Sequence, residues 1–170
     1  VATSSIGPGA TNMLTAAALA HANRLPILML SGDVFANRRP DPVLQQLEHF
    51  NNPTITANDA FKAVTRYWDR ITHPEQIIQS LPQATALLLD CGPAFLGLCQ
   101  DTQELAYDYP EDFFKPKTHM IPRIRPDERQ LTQAANLIKS SKKPLIISGG
   151  GVRYSEAQNE LRGLAQQLQI

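Results

Sequence analysis

Short apolar runs that alternate with helical patterns and glycine turns predict an α/β fold. The runs Pro26–Leu30 and Pro93–Cys99 are almost wholly apolar, which is typical of parallel strands buried on both faces. Arg66–Ile71 is aromatic and partly alternating, so it predicts a third strand. Val1–Ser5 resembles the end of a strand, and the alanine-rich stretch Gly9–Ala22 predicts the helix that follows it. Strand, glycine turn, helix and strand together form a βαβ unit.

Shorter helices are predicted between these strands. One is expected near Val43–Phe50, and another begins after Asn58 or Asp59, whose side chains can cap it. A longer helix is expected over Glu75–Leu89, with Pro82 inside it. Because proline cannot donate a backbone hydrogen bond, Pro82 should kink that helix or end it early.

A second α/β unit is predicted from residue 127 onward. Asp127 should cap a helix that runs to Ser140. Pro144–Ser148 is an apolar run and predicts a buried strand, Gly149–Gly151 predicts a turn, and Ser155 should cap a final helix. The stretch 103–126 is rich in proline and aromatic residues without helical or strand period, which indicates an inter-domain connection packed on a surface.

Composition narrows the class of protein. The 170 residues carry 16 basic and 16 acidic side chains, which argues against a nucleic-acid groove or a membrane-surface patch. The apolar runs are too short to span a membrane. The two cysteines, Cys91 and Cys99, do not form a C-x-x-C pair, so we expect ordinary buried thiols and a cytoplasmic location.

The two ends of the chain suggest how it relates to a longer protein. Val1 lies at a strand end and Ile170 lies where a helical pattern stops without a cap. A processed protein is one interpretation. We favour the other, an internal segment of a longer enzyme, whose catalytic groups can lie outside this chain.

The glycine turn Gly7–Asn12 is the strongest candidate site. Gly7 and Gly9 lack Cβ atoms and Pro8 is stiff, so a ligand can approach the backbone closely. The turn is not a dinucleotide fingerprint, because Asn12 stands where a third glycine would be. A purely structural strand-to-helix turn is equally compatible with the spacing.

Other polar residues predict little chemistry. Asp33, Asp41 and Asp59 are expected to be solvated or to cap helices. The histidines His21, His49, His73 and His119 lack the spacing of metal ligands, so we expect no metal site in this chain. Gly149–Gly151 lacks the lysine of a phosphate-binding P-loop.

The order of the motifs resembles a known family. Thr3–Asn12, the alanine-rich helix and Arg24–Asp33 together resemble the pyrimidine-binding domain of thiamine diphosphate enzymes of the acetolactate synthase type. Lys142–Val152 is similar to the start of their central domain. Three further stretches are most similar to members that open a cyclic diketone in inositol catabolism: Gly32–Ala36, Pro40–Gln46 and Tyr107–Pro110.

The resemblance implies a domain organisation and site residues. Residues 1–102 would be the C-terminal part of the pyrimidine-binding domain, 103–126 a linker, and 127–170 the start of the central domain. In the family, the residues at Pro8 and Asn12 line the aminopyrimidine ring of the cofactor, and those at Gly7 and Gly9 shape the turn. Gln45 falls where relatives place an active-site glutamine that faces the reaction centre.

The resemblance also implies an activity. The parent enzyme would be a thiamine diphosphate-dependent hydrolase that cleaves a C–C bond of a small cyclic diketone, with Mg²⁺ holding the diphosphate and a homo-oligomer as the working form. The family's catalytic glutamate and magnesium ligands would lie outside this chain, so the chain alone would be inactive. Another member, such as an acetolactate synthase or a 2-oxo acid decarboxylase, and a nucleotide-binding module remain as alternatives.

Overall fold

A computed structural model describes residues 1–40, 42–47, 51–89, 91–121 and 124–169, with only the backbone described at 87–89. The chain divides into two compact units, Val1–Ile121 and Pro122–Ile170. No helix among the described residues is both long and apolar enough to cross a membrane.

The first unit is built on a parallel sheet of four strands in the order β1-β2-β4-β3. This confirms the α/β class and the parallel strands that the apolar runs predicted. The strands are β1 Ala2–Ser4, β2 Leu28–Asp33, β3 Tyr67–Ile71 and β4 Ala94–Cys99. The helices of this unit are α1 Pro8–Thr11, α2 Leu14–Ala22, α3 Ile77–Leu89 and α4 Gln100–Gln103, with 3-10 segments at Ala57–Ala63, Pro74–Gln76 and Glu111–Phe114.

Apolar side chains cover both faces of the sheet. On one face the buried Met29 and Phe95 pack against Phe61 and the small residues of the first two helices. The rings of Phe61 and Phe95 stack with centroids 4.2 Å apart. On the other face the buried Leu96 packs with Ala84 of α3. Burial on both faces explains why the central strands have no polar alternation.

Two predicted features of the first unit were wrong in detail. The helix expected over Gly9–Ala22 is divided in two, because α1 ends at Thr11 and α2 begins at Leu14. Of the two alternatives for Pro82, the early end is wrong, because the helix continues to its predicted end at Leu89. Proline cannot donate a backbone hydrogen bond, and packing of the α3 face against β4 offsets the loss of that bond.

The predicted caps and the helix predicted near 43–50 also differ from the structure. Thr56, not Asn58 or Asp59, is the N-cap of the 3-10 segment Ala57–Ala63, and Asp59 completes the capping box by accepting from the Thr56 backbone N–H at 2.8 Å. Residues 43–47 form no helix, and 48–50 lie outside the described residues.

The proline- and aromatic-rich stretch packs partly on the first unit. Tyr109 donates a hydrogen bond to the Pro74 carbonyl oxygen at 3.1 Å. Its ring also contacts Tyr107, Phe113 and Phe114. The first unit extends through this stretch to Ile121.

The second unit contains three helices: α5 Glu128–Ser140, α6 Gly150–Tyr154 and α7 Gln158–Leu168. Asp127 caps α5, as predicted, by accepting from the backbone N–H groups of Arg129 and Gln130. The turn predicted at Gly149–Gly151 is not formed, because Gly150 begins α6. Ser155 ends α6, while Ala157 is the N-cap of α7 without a side-chain hydrogen bond.

The strand predicted at Pro144–Ser148 is not formed. A strand requires a partner for its backbone hydrogen bonds, and the described part of this unit contains no strand that could pair with it. Leu145 and Ile147 are consequently 84% and 87% exposed. The apolar run correctly indicates a segment that could form a strand, but the described part of the second unit contains no sheet for it to join.

Candidate functional site

The glycine turn lies at the carboxyl end of β1, where the chain enters α1. Gly7 is the N-cap of α1, with φ +59° and ψ −116°, a backbone conformation accessible essentially to glycine. Pro8 occupies the first turn of the helix, where its missing N–H costs nothing. The Thr11 N–H donates to the Gly7 carbonyl oxygen at 3.0 Å. The predicted tight turn is therefore present.

Both glycines are required by neighbouring atoms of the same chain. A Cβ on Gly7 would overlap the carbonyl oxygen of Gln45. A Cβ on Gly9 would lie 2.5 Å from the Ser5 Oγ, well inside contact distance. The structure thus brings Gln45 against the turn, although 38 positions separate it from Gly7 along the sequence.

Pro8 and Asn12 share one face of the turn. They are four residues apart, the Asn12 N–H donates to the Pro8 carbonyl oxygen at 3.2 Å, and both side chains are exposed. In the part of the chain that the structure describes, the Asn12 amide makes no side-chain hydrogen bond. The face therefore offers an apolar ring beside an amide with free donors and an acceptor.

An open cavity borders the same end of the sheet. Its volume is about 590 Å³, and it lies at the carboxyl ends of β1, β2 and β4. Ligands of open α/β sheets bind at this edge. The lining residues are Ser4, Ser5, Ile6, Gly32, Phe35, Gln100, Gln103 and Glu104.

A buried charge network lies nearby, and the sequence analysis missed it. Asp33, expected to be solvated or capping, is 1% exposed and pairs with Arg70, whose Nε lies 2.8 Å from its Oδ2. The Arg70 Nη2 also contacts the Oδ2 of Asp59 at 2.6 Å and the Oγ1 of Thr56 at 2.7 Å. Asp59 is thus both part of a cap and one partner of a partly buried ion pair. Asp41 lies outside the described residues.

A glycine makes this network possible. Asp33 and Arg70 belong to β2 and β3, which are separated by β4. Arg70 is in register with Gly97 of β4, and a Cβ on Gly97 would lie 2.9 Å from the Asp33 Oδ2. The guanidinium therefore reaches Asp33 across a position without a side chain. A glycine inside an apolar strand often marks such a close approach. Gly97 was therefore a signal in the sequence from which this contact could have been predicted.

The network changes the pKa values of its members. Burial raises the pKa of Asp59, but hydrogen bonds from Lys62, the Thr56 backbone and Arg70 outweigh it and lower that pKa from 3.8 to about 2. Burial also raises the pKa of the Cys99 thiol to about 12, with a further contribution from the Asp33 charge. Cys99 is consequently a protonated, buried thiol at neutral pH, as expected, whereas Cys91 is half-buried.

The lowered pKa of Asp59 predicts an acid-sensitive contribution to stability. A group whose pKa is lower in the folded state stabilises the fold above its unfolded pKa and loses that effect as the pH falls through the folded value. The stability difference between wild type and Asp59→Asn should be constant above about pH 5 and disappear between about pH 4 and 2. Urea unfolding midpoints measured from pH 2 to 6 test this.

The exposed carboxylate Asp112 provides the control for that series. Its ion pair with Lys115 lies on the surface, with side chains 83% and 69% exposed. Asp112→Asn therefore reports the general effect of removing one negative charge. An Asp59→Asn difference that persisted unchanged down to pH 2 would contradict the coupling between Asp59 and its buried partners.

Comparison with known proteins shows which enzymes this chain is similar to. Residues 131–170 match the family model described as thiamine pyrophosphate enzyme, central domain. Three relatives are 3D-(3,5/4)-trihydroxycyclohexane-1,2-dione hydrolases. Those of Clostridium tetani and Geobacillus thermodenitrificans are 52% and 49% identical over 99% of this chain, and that of Bacillus subtilis is 50% identical over 98%. The chain is homologous to a segment of a thiamine pyrophosphate enzyme.

That homology covers nearly the whole of this chain but a minor part of its relatives. The chain spans 27% of the length of the first two relatives and 26% of the third. The resemblance to thiamine diphosphate (thiamine pyrophosphate) enzymes is confirmed, and so is the similarity to the members that act on a cyclic dione. Within the described residues, no group of three His, Cys, Asp or Glu side chains could hold a metal ion.

Proposed function

We propose that this chain forms the pyrimidine-binding part, and the start of the central domain, of a thiamine diphosphate-dependent hydrolase. Its substrate would be 3D-(3,5/4)-trihydroxycyclohexane-1,2-dione, whose ring opens by C–C bond cleavage. The observation that carries the proposal is the identity of 48–52% to hydrolases of this dione over 98–99% of the chain. The exposed Pro8–Asn12 face and the glycine turn support a cofactor site at this end of the sheet.

The chemistry of this face fits an aminopyrimidine ring. Such a ring has an apolar plane and an edge of nitrogen donors and acceptors. Pro8 supplies an apolar surface and Asn12 supplies an amide that can both donate and accept. The two side chains are exposed and one helical turn apart. These residues can therefore hold the ring by its plane and its edge together.

The rest of the cofactor requires other residues. Thiamine diphosphate, when bound, supplies a carbon nucleophile and an electron sink for breaking a C–C bond beside a ketone. A diphosphate is held by Mg²⁺ with oxygen ligands, and the described part of this chain forms no acidic cluster for it. We propose that those ligands, and the catalytic glutamate, belong to other parts of a homo-oligomeric enzyme.

This chain would orient the reaction rather than carry the bond cleavage. The backbone carbonyl oxygen of Gln45 lies against Gly7, and its side-chain Oε1 accepts a hydrogen bond from Ser5. In this proposal the Gln45 amide faces the bound substrate. An amide N–H there can donate to a ketone oxygen of the dione. The adjoining cavity has serine, glutamine and glutamate side chains, which suit the hydroxyl groups of a polyol.

Assay of the full-length enzyme with the cyclic dione tests the proposed function. Ring opening should require both thiamine diphosphate and Mg²⁺ and should cease when a chelator removes the metal. Turnover of a 2-oxo acid without cleavage of the dione would instead identify a decarboxylase or a synthase. Dione cleavage that persisted without thiamine diphosphate would contradict the proposed chemistry.

Asn12 gives a residue-level prediction for the cofactor site. Asn12→Ala in the full-length enzyme should weaken thiamine diphosphate binding about ten- to a hundredfold, because a ligand hydrogen bond is worth about 1–3 kcal/mol. The melting temperature without cofactor should remain near that of wild type, since the Asn12 side chain is exposed and unbonded in the described chain. Calorimetric titration and thermal unfolding measure the two quantities.

Asn136→Ala is the matched control, because Asn136 is an exposed helical asparagine of α5. It should leave cofactor affinity unchanged. An Asn12→Ala enzyme with a lowered melting temperature and normal cofactor affinity would show that Asn12 only braces the turn.

A further inference from the structure

Ser5 links the glycine turn to Gln45. It lies between β1 and Gly7, and its Oγ donates a hydrogen bond to the Gln45 Oε1 at 3.0 Å. The same Oγ occupies the space that a Cβ on Gly9 would fill, at 2.5 Å from that position. Gly9 is therefore required to seat the hydroxyl that contacts Gln45.

Gln45 is held at two points against this turn. Its backbone adopts a left-handed conformation with φ +66°, which is uncommon for a residue with a side chain. Its carbonyl oxygen packs over Gly7, and its side-chain oxygen accepts from Ser5. The two glycines thus make room for the two contacts of one glutamine.

The hydrogen bond also decides which end of the amide remains available. A carboxamide carries one oxygen acceptor and one NH₂ donor group. With Oε1 engaged by Ser5, the NH₂ group is the part left to donate to a ligand, and within the described residues it makes no hydrogen bond. Ser5 also lines the cavity of about 590 Å³ at this edge of the sheet, so the residue that contacts Gln45 borders space that a ligand can enter.

We propose that Ser5 is a positioning residue that fixes the amide of Gln45 with its NH₂ group as the donor to a ketone oxygen of the dione. This rests on the proposed function, in which Gln45 lies at the reaction centre. Without the Ser5 hydroxyl the amide can rotate about its last side-chain bond and present its oxygen instead. Two acceptors would then face each other, and the bond to the ketone would be lost.

A double-mutant cycle in the full-length enzyme tests this proposal. Ser5→Ala should lower kcat about tenfold, with a smaller effect on KM, because it removes one oriented hydrogen bond. Ser5→Thr retains the hydroxyl and should stay within about twofold of wild type. Gln45→Ala should lower kcat at least as much as Ser5→Ala. Ser5→Ala should then have no further effect in the Gln45→Ala background, since the two residues act through one contact.

Stability measurements separate positioning from a structural role. Urea midpoints of wild type, Ser5→Ala, Gln45→Ala and the double variant, all without cofactor, should show coupling between Ser5 and Gln45, because each single substitution removes the same bond. Ser140→Ala is the matched control: its hydroxyl donates to the Leu137 carbonyl oxygen on exposed α5, and kcat should be unchanged.

The outcomes are distinct. Coupling in stability together with a normal kcat for Ser5→Ala would overturn the positioning role. Equal losses of kcat from Ser5→Ala in both backgrounds would overturn it as well. A wild-type enzyme that does not cleave the dione would overturn the proposed function itself.

Discussion

Replacing Arg70 with methionine should lower the free energy of unfolding of this chain by about 3–5 kcal/mol, the usual cost of removing one partner from a buried ion pair. Asp33 is 1% exposed and Asp59 is 14% exposed at its side chain, and both face the Arg70 guanidinium. Methionine fills much of the same volume, so the loss reports the uncompensated carboxylates rather than a cavity. Urea unfolding followed by far-UV circular dichroism measures it.

The control for Arg70 is an exposed cation with one acidic partner. Lys115→Met removes a pair whose side chains are 69% and 83% exposed, so stability should change by less than about 1 kcal/mol. If Arg70→Met were no more destabilising than Lys115→Met, the three-residue network would have no energetic role. Removal of the whole network by Asp33→Asn and Asp59→Asn together with Arg70→Met should recover part of the loss, because no charge then remains buried without a partner.

Gly7→Ala should destabilise the chain by about 2–5 kcal/mol, from left-handed backbone strain together with overlap on the Gln45 carbonyl oxygen. In the full-length enzyme the same change should also displace the Pro8–Asn12 face, so cofactor affinity should fall with stability. Urea unfolding of the chain and calorimetric titration of the enzyme with thiamine diphosphate measure these two effects.

Gly163→Ala is expected to have the opposite effect on stability. Gly163 lies within α7, and a Cβ there would have nothing within 4 Å. Alanine has the higher helix propensity, so this change should stabilise the chain by about 0.5–1 kcal/mol. Equal tolerance of alanine at Gly7 and Gly163 would mean that the turn has no special backbone requirement.

Local patterns were sufficient for much of the first unit. The apolar runs predicted β2 and β4, the partly alternating stretch predicted β3, and Asp127 was identified as the cap of α5. Each depends on neighbours in the sequence: a strand buried on both faces is apolar throughout, and a cap binds N–H groups two or three residues later. The same patterns failed at Pro144–Ser148, because a strand also needs a partner that no local pattern supplies.

The candidate site shows the same division. The glycine turn was predicted from the residues themselves, whereas the roles of Pro8 and Asn12 came from the resemblance. Their exposure on one face of the turn is a result of the structure. The family could be recognised from the order of motifs because those motifs are contiguous. The resemblance implied an active-site role for Gln45 but not its contact with Gly7. The stretch between β2 and Gln45 has no period that determines its path.

The sequence by itself determined the fold class, the buried strands of the first unit and the turn at Gly7, because each is encoded within a few neighbouring residues. Only the tertiary structure decided that Asp33 is buried and paired with Arg70 across Gly97, and that Ser5 contacts Gln45. These pairs are 37 and 40 positions apart in the chain. Their meeting depends on strand order and on the space left by glycines, which exist only once the sheet has assembled.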